Sequence, residues 1–77
     1  MAAPKFKTLD VRALIARGEE PRALILAAIA ALQPGEGLAL HAPFLPSPLV
    51  ERLRAEGFTA RPERQADGSW HTYFWRD

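Results

Sequence analysis

The sequence predicts an α/β (α+β) two-layer sandwich of order β-α-β-α-β-β, a mixed four-stranded sheet with two helices on one face. Three observations carry that expectation. Alternating runs at 58–64 and 70–76 flank Ala66-Asp67-Gly68-Ser69, and Asp-Gly between such runs signals a hairpin. An apolar stripe at helical spacing (Leu24, Ile25, Ala28, Ile29, Leu32) follows Pro21 and stops at Pro34-Gly35. A second helical segment opens at Ser47-Pro48 and stops at Gly57.

Each element has a local cause. Residues 6–11 mix β-branched and aromatic side chains and form the first strand, with Leu9 and Val11 on one face and Asp10 on the other. Residues 12–20 read as a loop with one helical turn at 13–16. Pro21 suits a first helical position, because its φ matches a helix and its missing N–H is not needed there. Glu19 and Glu20 place negative charge at the positive end of that helix, which runs to about Gln33. Its other arc, Ala23, Leu26, Ala27 and Ala30, carries no charge, and a helix apolar all round is normally covered on both sides. A weak homodimer is expected from that arc. Leu38, Leu40 and Ala42 alternate with Ala39 and His41 in a buried strand over 37–42. After a proline-rich loop, Ser47 reads as the N-cap of a helix with Leu49, Val50 and Leu53 inward and Gly57 as its left-handed terminus. In the last strand Trp70, Thr72 and Phe74 share one face, and His71, Tyr73 and Trp75 the other.

Seventy-seven residues make one domain over 1–77, with a core at about 6–76. Ten basic against nine acidic residues exclude charge-driven nucleic-acid binding as a default. Without cysteine there is no disulfide, thiolate nucleophile or cysteine metal site. The start Met1-Ala2-Ala3-Pro4-Lys5 lacks a secretory apolar region and no run is long enough to span a membrane, so a cytoplasmic protein is expected.

The strings Leu9-Asp10-x-Arg12, Glu20-Pro21, Leu32-x-Pro34-Gly35-Glu36, Ala42-Pro43-Phe44-x-Pro46-x-Pro48-Leu49 and Gly57-Phe58 resemble an uncharacterised bacterial domain family over about residues 8–76. That family is similar to the TusA/SirA sulfur carriers. The resemblance implies a TusA/SirA-like scaffold whose functional edge lies near the N-terminus of the first long helix. Those carriers hold a Cys-Pro-x-Pro motif there, where the helix dipole favours a thiolate. Here Glu20-Pro21-Arg22-Ala23 stands in its place, and a carboxylate cannot carry a sulfane sulfur. Direct sulfur transfer is argued against, since fold does not fix function.

The candidate ligand- or partner-binding residues are Asp10, Arg12, Glu20, Arg22, His41 and Phe44; none is assigned as catalytic or metal-binding, and no cofactor is expected. Asp10, Arg12, Glu20 and Arg22 converge where strand one ends and helix one begins, as a recognition site or as ordinary loop and cap ion pairs. His41 and His71 stand thirty positions apart and have no ligand spacing of their own. Phe44 sits on a loop stiffened by Pro43, Pro46 and Pro48, as a partner anchor or as a lid on the core. The leading expectation is a non-enzymatic TusA-like module that acts through contacts with a protein partner. The alternatives are a metal- or small-ligand-binding domain or enzyme centred on His41, and RNA binding through His71, Tyr73 and Trp75 on the open sheet face.

Overall fold

Side-chain parity sorts the sheet into two faces that are finished in different ways. The computed structural model describes residues 4–76. In chain order they form β1 (Lys5–Asp10), α1 (Arg12–Ala16), α2 (Arg22–Ala30), β2 (Glu36–Ala42), α3 (Ser47–Ala55), β3 (Thr59–Arg64) and β4 (Trp70–Trp75). The strands make one mixed sheet in the order β1-β2-β4-β3. β1 runs parallel to β2, and β4 runs antiparallel to both its neighbours. The predicted two-layer architecture is the one observed.

The layer between helices and sheet is built from alternate strand residues. Leu38, Leu40 and Ala42 of β2, Thr72 and Phe74 of β4 and Ala60 of β3 are buried there. Ile25 of α2, Val50 and Leu53 of α3 and Val11 after β1 close the core from above. Val11 leaves the strand and caps α1, yet it is among the most buried side chains, because its amide still bonds to His41 O at 3.0 Å.

Several boundaries differ from the expectation, each for a local reason. The single expected turn at 13–16 is a short helix, α1, so the described residues hold three helices rather than two. α2 ends at Ala30 instead of near Gln33. There the Glu36 carboxylate takes the Gln33 amide at 2.7 Å, and Glu36 N bonds to Gln33 O at 3.0 Å, closing a turn over Pro34-Gly35. Leu24 belongs to the predicted stripe but is 45% exposed; Ile25 is the one buried residue of α2. Ser47 is the first residue of α3 rather than its cap, a position held by Pro46. The expected Asp-Gly hairpin forms with Gly68 at φ 88°, and Gly68 N bonds to Gln65 O, the geometry of a three-residue turn closed by a left-handed glycine.

Among the described residues no helix lies over the opposite face. Phe6, Tyr73 and Trp75 pack on it edge to face, with Phe6 centroids 5.1 Å from Tyr73 and 5.8 Å from Trp75. Gly37 makes this arrangement fit: a Cβ there would lie 2.7 Å from the Phe6 ring and 2.7 Å from Phe74 O. Among the described residues no helix is long and apolar enough to cross a membrane.

Candidate functional site

At the end of the sheet where β1 and β2 finish, the register places Asp10, His41 and His71 side by side on the open face. The hairpin between β3 and β4 returns to the same end and brings Asp67 and Ser69 beside them. These polar side chains form one network. Asp10 accepts from the Arg12 amide at 3.0 Å, Nε at 3.1 Å and Nη2 at 2.9 Å. The Arg12 bonds hold the Asp10 carboxyl at about 2, well below its ordinary 3.8. Arg12 Nη1 also lies 3.9 Å from Asp67 Oδ2.

Ser69 decides the protonation of the network. It is buried, at 6% exposure, and both its amide (2.9 Å) and its Oγ (2.6 Å) donate to Asp67 Oδ1. These bonds pull the Asp67 carboxyl below its usual range. With its only hydroxyl proton committed, Ser69 Oγ accepts from His41 Nε2 at 2.9 Å. His41 therefore carries its proton on Nε2, and Nδ1 is a lone pair 3.9 Å from Asp10 Oδ2. Burial lowers the His41 pKa first, then the neighbouring His71 and Arg12, against the opposing pull of Asp10 and Asp67. The two imidazoles meet edge to face with centroids 4.0 Å apart.

Ser69, His41 and Asp10 occur in the order of a hydrolytic triad, but the proton lies the wrong way. In a triad the histidine accepts the serine proton. Here serine gives its proton to a carboxylate and receives one from histidine, so the group is a tether between the hairpin tip and β2. Among the described residues no three His, Cys, Asp or Glu side chains are arranged to hold a metal ion.

The other three candidates lie on the helix side. Glu20 Oε1 accepts from the Arg22 amide at 3.1 Å and so serves the start of α2, which has no side-chain cap of its own at Pro21. Glu20, Arg22 and Phe44 border a groove of about 590 Å³ whose apolar wall includes Ile25 and Leu49. Phe44 is 49% exposed, on a loop whose Pro46 is buried and fixed. A second groove of about 640 Å³ continues between the far halves of α2 and α3, with Arg52 bordering both. The six candidates therefore divide into two groups of three: Asp10, Arg12 and His41 join the network, whereas Glu20, Arg22 and Phe44 frame the groove.

Sequence reasoning missed Asp67 and Ser69 as members of the network. Asp-Gly-Ser satisfied a turn reading, and nothing in that string signals that the serine faces a histidine 28 positions earlier. The meeting of His41 with His71 follows from strand register, which one sequence does not display.

The fold and the network define a small α+β domain whose polar centre is internally bonded and whose apolar groove is open. The chain belongs to the family described as "Uncharacterized conserved protein (DUF2249)", whose profile matches residues 8–76. No curated protein and no solved structure matches it.

Proposed function

We propose that this chain is a non-enzymatic, TusA-like binding module that acts through protein contacts at the groove framed by Glu20, Arg22 and Phe44. The observation that carries this reading is Phe44, a large ring 49% exposed at the lip of an apolar groove. Its loop contains Pro43, Pro46 and Pro48, so little conformational entropy remains to be lost when a partner closes on the ring. Aromatic anchors beside mixed-charge rims are the usual energetic centres of protein interfaces. The resemblance of the sequence to the TusA/SirA carriers supports the same helix start as the working edge, with Glu20 standing where those carriers hold a cysteine. Glu20 bonds to the helix amide at 3.1 Å and offers no sulfur to load.

A photo-crosslinking residue at position 44, compared with one at position 73 on the other sheet face, tests this in the native host. Crosslinks to one protein from position 44, lost on Glu20→Ala/Arg22→Ala with an unchanged circular dichroism spectrum, are expected. No discrete crosslink from position 44, or a persulfide adduct in the intact mass after exposure to a sulfur donor, would overturn the reading.

A further inference from the structure

The two outer strands of the sheet, β1 and β3, offer very different edges to a further strand. In β1 the Lys5 amide donates to Gly35 O at 2.9 Å and the Val11 amide to His41 O at 3.0 Å. Odd-numbered residues thus turn their main-chain groups toward β2, and alternation turns the N–H and C=O groups of Phe6, Thr8 and Asp10 outward. Among the described residues nothing pairs with that outward row.

At the other edge the Gln65 amide bonds to Ser69 O at 2.8 Å, which fixes the parity of β3 and points Ala60, Pro62 and Arg64 outward. Pro62, in the middle of the row, has no N–H to donate. The Ala60 carbonyl is already taken by Arg54 Nη2 at 3.0 Å. The β3 edge is closed and the β1 edge is open.

We propose that β1 pairs antiparallel with β1 of a second copy, about a two-fold axis at Thr8, joining the two four-stranded sheets into one. Three features favour a second copy as the occupant. First, antiparallel self-pairing about Thr8 sets no like charges against each other: Lys5 and Lys7 meet the partner's Val11 and the partner's Leu9, and Asp10 meets the partner's Phe6. Second, one register satisfies the whole row: Thr8 faces the partner's Thr8, and Phe6 faces the partner's Asp10. In that register Lys7 lies across from the partner's Leu9. Shifting the axis one way sets the two Lys7 side chains against each other; shifting it the other way leaves Phe6 unpaired. Third, β1 against β3 would propagate into a filament, and Pro62 blocks it, so the assembly closes at two copies. An interface of one six-residue strand is far below the roughly 800 Å² per partner of a standard complex, so association is weak and concentration-dependent.

Amide hydrogen exchange read across a concentration series, with sedimentation equilibrium alongside, tests this on the full chain. The Phe6 and Thr8 amides are expected to gain protection as concentration rises, while the outward amides of Ala60 and Arg64 do not change. Thr8→Pro removes the central donors without touching the β1–β2 ladder and weakens dimerisation by about tenfold or more, the effect of two main-chain bonds. Should Thr8→Pro fail to fold, Thr8→Lys and Thr8→Glu replace it: each alone is monomeric, and their mixture dimerises. A chain that stays monomeric at millimolar concentration overturns the proposal. So does dimerisation with Phe6 and Thr8 amides unprotected.

Discussion

The helix-covered face of the sheet and its open face solve the same problem with different materials. On the covered face a few aliphatic side chains and Phe74 are buried beneath the helices, yet the helices leave grooves of about 590 and 640 Å³ above them. On the open face no element among the described residues lies above the sheet, but Phe6 folds over Gly37 and joins Tyr73 and Trp75 edge to face. The nominally bare side is thus partly sealed by its own rings, and the nominally covered side retains the unfilled apolar surface. Which side meets a partner is therefore not read from which side carries helices.

The largest effect should come from breaking the covered face. Phe74 is fully buried, and Phe74→Ala is expected to cost about 3–5 kcal/mol. A domain of this size holds only about 4–12 kcal/mol in total. Phe6→Ala, which removes a ring 37% exposed, should cost about 1–2 kcal/mol through lost area and two edge-to-face contacts. Urea unfolding of the two variants measures the contrast. Equal losses would mean that the open-face rings form a second core rather than a seal.

Gly37→Ala probes where the two faces meet at one backbone position. The new methyl would press on the Phe6 ring, which can swing away, and on the Phe74 carbonyl, which cannot. A loss of about 1–3 kcal/mol is expected. Adding Phe6→Ala should make the effect of Gly37→Ala smaller without abolishing it, a coupling that a double-mutant cycle reads directly. Full rescue would show that the carbonyl contact is harmless.

A smaller effect of opposite sign is expected at Thr72. Its hydroxyl is buried beneath the helices without a hydrogen-bond partner. Thr72→Val keeps the shape and removes the unpaired group, so it should stabilise the fold by about 1 kcal/mol in thermal unfolding. A destabilised variant would imply that the hydroxyl has found a bond.

How much of this was legible in the sequence depended on the range of the interaction. Strand alternation at Leu38-x-Leu40-x-Ala42, the Asp67-Gly68 turn and the helix stop at Gly57 are local, and each was readable. Leu24 was misjudged because helical period alone does not say how wide a stripe the sheet can cover. The split of the candidate site into two groups was invisible, because it depends on which side of the sheet each loop leaves. Asp10 and Arg12 were readable as a pair two positions apart; the tether from His41 to Ser69 needed the β2–β4 register.

The smallest effect, and the one most specific to the polar network, is its dependence on pH. Burial, His71 and Arg12 lower the His41 pKa in the folded state. Unfolded histidine binds its proton near 6.5, so as pH falls through that value the unfolded chain takes up the proton first and stability declines. The decline from this one group between pH 7 and 5 should be small, and should vanish in His41→Gln. Asp10 acts in a separate window. Its carboxyl titrates at about 2 when folded and near 3.8 otherwise, so its contribution is intact above 3.8 and is lost as pH falls toward 2. Arg12→Ala removes the guanidinium bonds that hold Asp10 down while leaving the main-chain amide bond, so it should flatten most of that lower window. Because Arg12 also lowers the His41 pKa, the same change should lessen the decline in the upper window. Urea midpoints of the three proteins from pH 7 to 2 separate the two groups: if His41→Gln altered the acid limb instead, the network would be titrating as one unit.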